Sequence, residues 1–213
     1  MPKSAAIQWW RFSPLHILEK IAARSFDRLH GLETSSFAEL NTLGIASANQ
    51  AHGERYQPSP VHSLRRLLRR LDIDYATCTF IDFGSGKGRT LLIAGELPFR
   101  QVTGVEFGAE LHAQATRNIA RYGRRAAQEV TSVHADATQF ALPPGDLVLY
   151  FFNPFNRAVL DQVIANINAA VQAQPRKVIL VYLYLPQRSW LSELDSFELR
   201  LQWRNYVVLE HLA

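Results

Sequence analysis

Three glycines on alternate positions, placed directly after an apolar run, constrain the fold of this sequence more than any other feature. The apolar run covers residues 80–83, the glycines are Gly84, Gly86 and Gly88, and a helical pattern continues toward Pro98. This order predicts a strand, a tight turn and a helix. Glycine tolerates positive φ angles, and its missing Cβ lets a ligand lie against the main chain. The free N–H groups that open the helix then point at a polar or anionic group.

The spacing within this run separates three classes of ligand site. A phosphate-binding P-loop needs Ser or Thr directly after Lys87, where Gly88 stands, and a glycine six residues before it, where Ile81 stands. A dinucleotide fingerprint needs a glycine at position 89, which is Arg89. The run fits a third form, acidic-x-G-x-G-x-G, in which Asp82 is the acidic residue.

In this third form the run resembles the first motif of the class I S-adenosylmethionine-dependent methyltransferases. A second site supports the resemblance, because residues 101–106 read as the next short strand and end in Glu106. An acidic residue about 20 residues after such a glycine turn accepts hydrogen bonds from the ribose hydroxyls of the ligand. The resemblance also implies an acid on the adenine amino group after the third strand, predicted over 130–135, and Asp136 matches it. It implies S-adenosylmethionine as the cofactor, contacted by Asp82, Gly84, Ser85, Gly86, Glu106, Phe107, Asp136, Ala137 and Asn153.

The rest of the chain predicts an α/β fold with a doubly wound, seven-stranded, mostly parallel sheet. Residues 147–152 form a continuous apolar run, which is typical of a buried parallel strand. Residues 197–203 alternate between apolar and polar, and residues 206–212 follow after a very short turn, so the sheet is predicted to end in an antiparallel hairpin. Five strand–helix units with such a hairpin match the class I methyltransferase fold. We expect a methyltransferase domain over 58–213 and a helical N-terminal extension over 1–57.

Two helix starts are predicted before the glycine turn. One is Ser13-Pro14, and the other is Ser59-Pro60, where Ser59 can cap the helix and proline suits its first position. The second helix has an apolar face. A cluster of arginines on its other face predicts either a solvated surface or a surface that binds the phosphate backbone of a nucleic acid. The residues from Tyr56 to Pro60 resemble a segment that covers the cofactor in some lysine methyltransferases outside the SET class, and this implies that Tyr56 contacts the cofactor. The arginines are Arg65, Arg66, Arg69 and Arg70.

The stretch Asn153-Pro154-Phe155 closes the apolar run of the fourth strand. It resembles the fourth motif of methyltransferases that act on amino groups, whose pattern is Asn or Asp, Pro, Pro and an aromatic residue. One proline of that pattern is missing here. The resemblance implies catalytic roles for Asn153, which would accept hydrogen bonds from an amine, and for Phe155, whose ring would stack on it. An ordinary Asn-Pro turn is the alternative interpretation.

These features predict a methyltransferase whose acceptor is unknown, with N-methylation of a protein lysine or a small-molecule amine favoured. A nucleic-acid acceptor is open but not favoured. Two other interpretations stay open: a nucleotide- or NAD-dependent oxidoreductase of the same fold class, and a non-catalytic RNA-associated module. No metal cluster is evident. The single Cys78, the absence of a membrane-length apolar run and a start without a signal-peptide pattern predict a cytoplasmic protein.

Overall fold

The computed structural model describes residues 14–36, 57–184 and 194–212. Tyr56, Trp9 and Trp10 lie outside the described residues. Within them there are seven strands: β1 Thr79–Phe83, β2 Gln101–Glu106, β3 Val130–His134, β4 Leu147–Phe151, β5 Val178–Leu183, β6 Phe197–Trp203 and β7 Tyr206–His211. The helices are α1 Pro14–His30, α2 Val61–Leu68, α3 Arg89–Ala94, α4 Ala109–Arg121 and α5 Arg157–Ala173. None of the helices in these ranges has the length and apolar composition needed to cross a membrane.

All seven strands belong to one sheet in the order β3-β2-β1-β4-β5-β7-β6. Strands β1 to β5 run parallel, whereas β7 pairs antiparallel with both β5 and β6. The predicted mostly parallel sheet with a terminal antiparallel hairpin is therefore confirmed. The register aligns Phe83 of β1 with Val105 of β2 and with Phe151 of β4, so three carboxyl ends meet at one edge. The chain crosses from β3 to β4 at this point, which is where ligands bind in open α/β sheets.

Helices cover both faces of the sheet, as a doubly wound fold requires. One hydrophobic cluster joins the sheet to α1, α2, α3 and α4, with Phe26 and Leu64 among its members. The other cluster joins the opposite face to α5 through Val163 and Ile167. Neighbouring residues of β1 alternate between the two clusters, since Phe80 belongs to the first and Ile81 to the second. This alternation turns the side chain of Asp82 toward the α1–α4 face.

The start of α2 differs from the prediction, because Ser59 does not cap it. Its hydroxyl lies 3.0 Å from the Tyr150 hydroxyl and accepts a hydrogen bond of 3.0 Å from Thr90, so it faces the core. The Glu19 carboxylate of α1 instead accepts the N–H groups of His62 and Ser63, at 3.1 and 2.9 Å. A carboxylate is a strong acceptor for the unsatisfied N–H groups of a helix N-terminus, which also favours negative charge.

The arginine cluster of α2 also divides between two environments. Arg66, Arg69 and Arg70 are exposed. Arg65 is half-buried, donates through Nε to Glu96 Oε2 at 2.8 Å and stacks over the Phe26 ring at 5.3 Å. The prediction of a uniformly solvated or phosphate-binding face is therefore wrong for Arg65, which links α2 to the end of α3.

The connection between β3 and β4 contains no helix, although five strand–helix units were predicted. Residues 135–146 form turns and irregular structure. Pro143 and Pro144 lack the N–H that a helix needs, and Gly145 adopts a φ of 88°. The crossover from β3 to β4 is therefore made by an irregular loop.

Candidate functional site

The glycine turn after β1 has the backbone that the sequence predicts. Gly84, Gly86 and Gly88 have φ angles of 77°, 54° and 82°, all in the left-handed region. Gly88 is the N-cap residue of α3. A Cβ built on Gly84 would lie 2.5 Å from the Cβ of Pro154, so the loop after β4 packs directly on the turn. Gly84 is exposed, which leaves its main chain open at the point where β1 and β4 diverge.

Glu106 ends β2 and holds the glycine turn through its carboxylate. Oε2 accepts the Gly86 N–H at 2.7 Å, and Oε1 accepts the Gly108 N–H at 2.8 Å. The side chain is buried, and burial raises the pKa of Glu106 while the two N–H groups oppose the rise. The predicted ribose acid thus lies beside the predicted glycine turn, and main-chain donors stabilise its ionised form.

Gly104 within β2 is a site residue that the sequence analysis did not single out. A Cβ on Gly104 would lie 2.5 Å from Ser85 Oγ, so the missing side chain makes room for Ser85 under the turn. Ser85 Oγ is buried and has no hydrogen-bond partner among the described residues. A glycine inside a strand pattern signals this kind of close approach. The Ser85 hydroxyl therefore faces inward, and the Ser85 N–H and carbonyl hold the turn by bonding to the Val105 carbonyl at 3.2 Å and to the Gly88 N–H at 2.9 Å.

Asp82 lies at the carboxyl end of β1 and is buried beneath the glycine turn. Burial raises the pKa of Asp82 to about 8, a hydrogen bond with the Thr90 hydroxyl opposes this, and the Glu106 charge adds to it. The Thr90 hydroxyl donates a hydrogen bond to the Ser59 hydroxyl, which in turn is hydrogen-bonded to the Tyr150 hydroxyl. This buried chain of hydroxyls connects the acid of the first motif to the start of α2.

Asp136 and Ala137 follow β3, next to β2 in the sheet. The Ala135 N–H donates to the Glu106 carbonyl at 3.0 Å, which brings the loop beside the Glu106 site. Asp136 Oδ1 accepts the N–H and the hydroxyl of Thr138, both at 2.8 Å. Phe107 is half-buried, and its carbonyl lies 2.9 Å from His134 Nε2. Each predicted residue from β2 and β3 therefore lies on the same edge as the glycine turn.

Asn153 and Phe155 occupy the end of β4. Asn153 has a φ of 43°, a left-handed conformation that asparagine tolerates better than most residues. Its Oδ1 accepts a long hydrogen bond of 3.5 Å from the Tyr182 hydroxyl. The Phe155 ring meets the Phe151 ring edge-on, with 6.3 Å between centroids, and is half-buried. Between them, Pro154 makes the contact to Gly84 that joins this loop to the glycine turn.

Comparison with known structures decides the fold family. The ribosomal protein L11 methylase from Lactobacillus delbrueckii subsp. bulgaricus aligns with a TM-score of 0.52 and 18% identity, over 73% of this chain and 79% of that one. The glycopeptide N-methyltransferase MtfA aligns with a TM-score of 0.53 and 14% identity, over 71% and 89%. This chain has the class I methyltransferase fold. The methyltransferase domain of bacterial CtHen1-CN aligns with a TM-score of 0.50 and 13% identity, over 70% and 97%.

The assignment of the class I methyltransferase fold rests on the structural comparison, because no protein-family model and no curated protein matches the sequence. Within this fold, the residues predicted from β1, β2, β3 and β4 share one edge. Gly104 and Thr90 join them as residues to which the sequence analysis gave no role, and Pro154 joins them through its contact with Gly84. Tyr56 belongs to the part of the chain outside the described residues.

Proposed function

We propose that this protein is an S-adenosylmethionine-dependent methyltransferase. The observation that supports this most is the joined series of acid, glycine turn and second acid. Asp82 lies under the turn, and Glu106 accepts the Gly86 N–H at 2.7 Å. The alternative of a nicotinamide-dependent enzyme needs a third glycine at position 89, whereas Arg89 there is 2% exposed and donates to Thr34 at 2.7 Å.

The electrostatics of the site fit this cofactor. Burial raises the pKa of both Asp82 and Glu106, so two carboxyl groups lie where their charge is poorly solvated. S-Adenosylmethionine carries an ammonium, a sulfonium and two ribose hydroxyls, and these cations and donors complement two carboxylates. Asp82 and the main chain of residues 84–86 would hold the amino-acid end. Glu106 would hold the ribose, and Asp136 the adenine.

When bound, S-adenosylmethionine supplies a methyl group that its sulfonium already makes electrophilic. The protein's own task is to orient the acceptor and to exclude water. Pro154 lies against Gly84, which places Asn153 and Phe155 beside the turn that would hold the amino-acid end. A half-buried amide and a half-buried aromatic ring beside this turn support an acceptor position there.

For the acceptor atom we propose nitrogen. An amine must be neutral to attack, and hydrogen bonds from its N–H groups to Asn153 Oδ1 would direct its lone pair. That oxygen has two lone pairs, and the Tyr182 hydroxyl occupies at most one of them. The Phe155 ring would contact the carbon beside the nitrogen. A protein lysine and a small-molecule amine both satisfy this geometry.

Isothermal calorimetry with S-adenosylhomocysteine and with NADH tests the cofactor. We expect the chain to bind S-adenosylhomocysteine and to give no heat with NADH. Binding of NADH alone would favour the oxidoreductase interpretation. Failure to bind either ligand would favour a non-catalytic module.

Radiolabelled S-adenosylmethionine and cell extract test the acceptor, followed by chemical identification of the labelled atom. Asn153→Gly is the sharper variant, because glycine keeps the left-handed backbone and removes only the amide. We expect it to lower turnover about 10²-fold or more with little change in affinity for S-adenosylhomocysteine. Asn156→Ala is the control, since Asn156 caps α5 three residues away by accepting the Val159 N–H at 3.2 Å. Label on oxygen, sulfur or carbon would contradict N-methylation.

A further inference from the structure

Both cations within the glycine motif contact one N-terminal segment, residues 27–36, which we call the strap. Lys87 is buried and forms an ion pair with Glu33 and a hydrogen bond with Ser36. Arg89 donates through Nε to Thr34 Oγ1 at 2.7 Å and through a terminal nitrogen to Ser35 Oγ at 2.6 Å. Lys87 and Arg89, which occupies the glycine position of a dinucleotide site, therefore both bind the strap.

The strap is itself anchored in the core. Leu32 is buried in the same hydrophobic cluster as Phe26 of α1. Asp27 accepts the Thr34 N–H at 2.9 Å and lies 3.8 Å from the Arg89 guanidinium. Charge-assisted hydrogen bonds of this kind are stronger than neutral ones, and here they fix the strap relative to α3.

Asn118 of α4 joins the strap to the glycine turn. Its side chain is fully buried, with 0% exposure. Nδ2 donates to the carbonyl of Glu33 at 3.0 Å and to the carbonyl of Lys87 at 2.9 Å. Oδ1 accepts the Glu33 N–H at 3.1 Å and the Gln114 amide at 3.2 Å. An asparagine amide has two N–H donors and two acceptor lone pairs, so all four are used at this junction.

The Lys87 carbonyl is one of several main-chain groups whose hydrogen bonds set the path of the turn. The others lie within the predicted cofactor site: the Gly84 and Ser85 N–H groups donate to the Val105 carbonyl, the Gly86 N–H donates to Glu106, and the Gly88 N–H donates to the Ser85 carbonyl at 2.9 Å. The link through Asn118 is the one that the strap shares. A change in the strap would therefore act on Lys87, next to the residues 84–86 that would contact the cofactor.

We propose that Asn118 is a positioning residue, and that ordering of the strap and binding of the cofactor stabilise each other. The inference rests on the proposed function, because it concerns the turn assigned to the cofactor. Coupling between two sites is reciprocal: if the strap favours cofactor binding, the cofactor must favour the ordered strap to the same extent. A purely structural Asn118 would stabilise the fold without responding to ligand.

Hydrogen exchange on the wild-type chain tests the reciprocal effect without any mutation. The informative amides are those of Glu33 and Thr34, which donate to Asn118 and Asp27. Saturating S-adenosylhomocysteine should slow their exchange about fivefold or more. Exchange in the helix α5 serves as the internal reference and should change less than the strap.

Asn118→Ala tests the direct effect, with Asn168→Ala as the matched control. Asn168 accepts hydrogen bonds from Ser196 and His211 on the far side of the sheet, so it carries a similar role away from the turn. Asn118→Ala should weaken S-adenosylhomocysteine binding about tenfold and abolish the strap protection. Asn168→Ala should stay within about twofold of wild type.

Thr34→Val gives a second variant if Asn118→Ala does not fold, because it removes the acceptor for Arg89 Nε and keeps the side-chain shape. We expect about fivefold weaker binding. Wild-type protein that fails to bind S-adenosylhomocysteine would overturn both the proposed function and this inference. Wild-type binding with unchanged strap exchange, or equal affinities for Asn118→Ala and Asn168→Ala, would overturn this inference alone.

Discussion

The two sides of the proposed site, one for the cofactor and one for the acceptor, are held in different ways. On the cofactor side, at the ends of β1 to β3, Asp82 and Glu106 are each 3% exposed and bonded to neighbouring groups. On the acceptor side, at the ends of β4 and β5, Asn153 and Tyr184 are half-buried with φ angles of 43° and 56°. Such angles are uncommon for residues other than glycine and persist where the surroundings enforce them.

This difference indicates how each side would work. Main-chain groups and buried carboxylates suit a ligand that binds in one fixed pose. Half-exposed amide and aromatic side chains on a strained backbone suit an acceptor that must enter and leave. The contact between Gly84 and Pro154 joins the two sides.

Gly84→Ala should have the largest effect, because it breaks that junction. The new Cβ would lie 2.5 Å from Pro154 Cβ, and the φ of 77° is unfavourable for alanine. We expect the free energy of unfolding, measured with urea, to fall by about 2–5 kcal/mol. Gly123→Ala is the control, since no atom lies within 4 Å of its added Cβ. Equal losses in both variants would show that the two sides are not packed against each other.

Glu106→Gln tests the cofactor side alone. Glutamine lacks the negative charge of the Glu106 carboxylate. This carboxylate now accepts the Gly86 N–H, and it would accept hydrogen bonds from two ribose hydroxyls. Affinity for S-adenosylhomocysteine should fall tenfold or more, or about 1.5–3 kcal/mol. Glu110→Gln, an exposed residue in the first turn of α4, should leave calorimetric affinity unchanged. Undiminished binding by Glu106→Gln would remove Glu106 from the ribose site.

The buried Asp82 predicts a pH effect on stability. Its pKa is about 8 when folded and about 4 when unfolded, so its contribution is complete below about pH 4 and is lost as the pH rises toward 8. Between pH 6 and 8, wild type should lose roughly 1–2 kcal/mol relative to Asp82→Asn in thermal or urea unfolding.

A bound cation should weaken this trend, because it favours the ionised carboxylate. Saturating S-adenosylhomocysteine, which retains the ammonium, is therefore expected to flatten the pH dependence of wild type. A dependence that is the same with and without ligand would place the amino-acid end away from Asp82.

The smallest effect concerns strain on the acceptor side. Arg204, in the β6–β7 turn, has a φ of 55° that matches Tyr184. Arg204→Gly relieves about 1–2 kcal/mol of backbone strain and loses the stacking of the guanidinium over the Trp203 ring at 4.8 Å, worth roughly 0.5–1 kcal/mol, so the unfolding free energy should rise by at most about 0.5–1 kcal/mol. Tyr184→Gly gains the same relief but loses the ring contact with Phe152 at 5.7 Å, its packing on the core and its hydrogen bond with Asn205, so the unfolding free energy should fall by about 1–2 kcal/mol. Equal stabilisation in both variants would show that the Tyr184 ring contributes nothing to folding.

Most of the sheet could be predicted from local patterns. The alternation of 197–203 and the continuous run that contains β4 are short-range signals, and both give the observed strands. The connection after β3 was mispredicted because the expected repeat of strand and helix outweighed the local Pro143-Pro144-Gly145 signal. The Ser59 cap failed because a cap also depends on which acceptor reaches the helix, and Glu19 lies 40 residues earlier in the chain.

By itself, the sequence determined the strand, glycine turn and helix, and the order of acids that follow it. These features depend on residue type and spacing along the chain, which local backbone chemistry dictates. Tertiary structure alone decided that Pro154 packs on Gly84, that Gly104 makes room for Ser85, and that Asn118 joins the strap to the turn. Each of these contacts joins residues at least 19 positions apart, so each depends on packing between elements whose spacing in the sequence carries no signal.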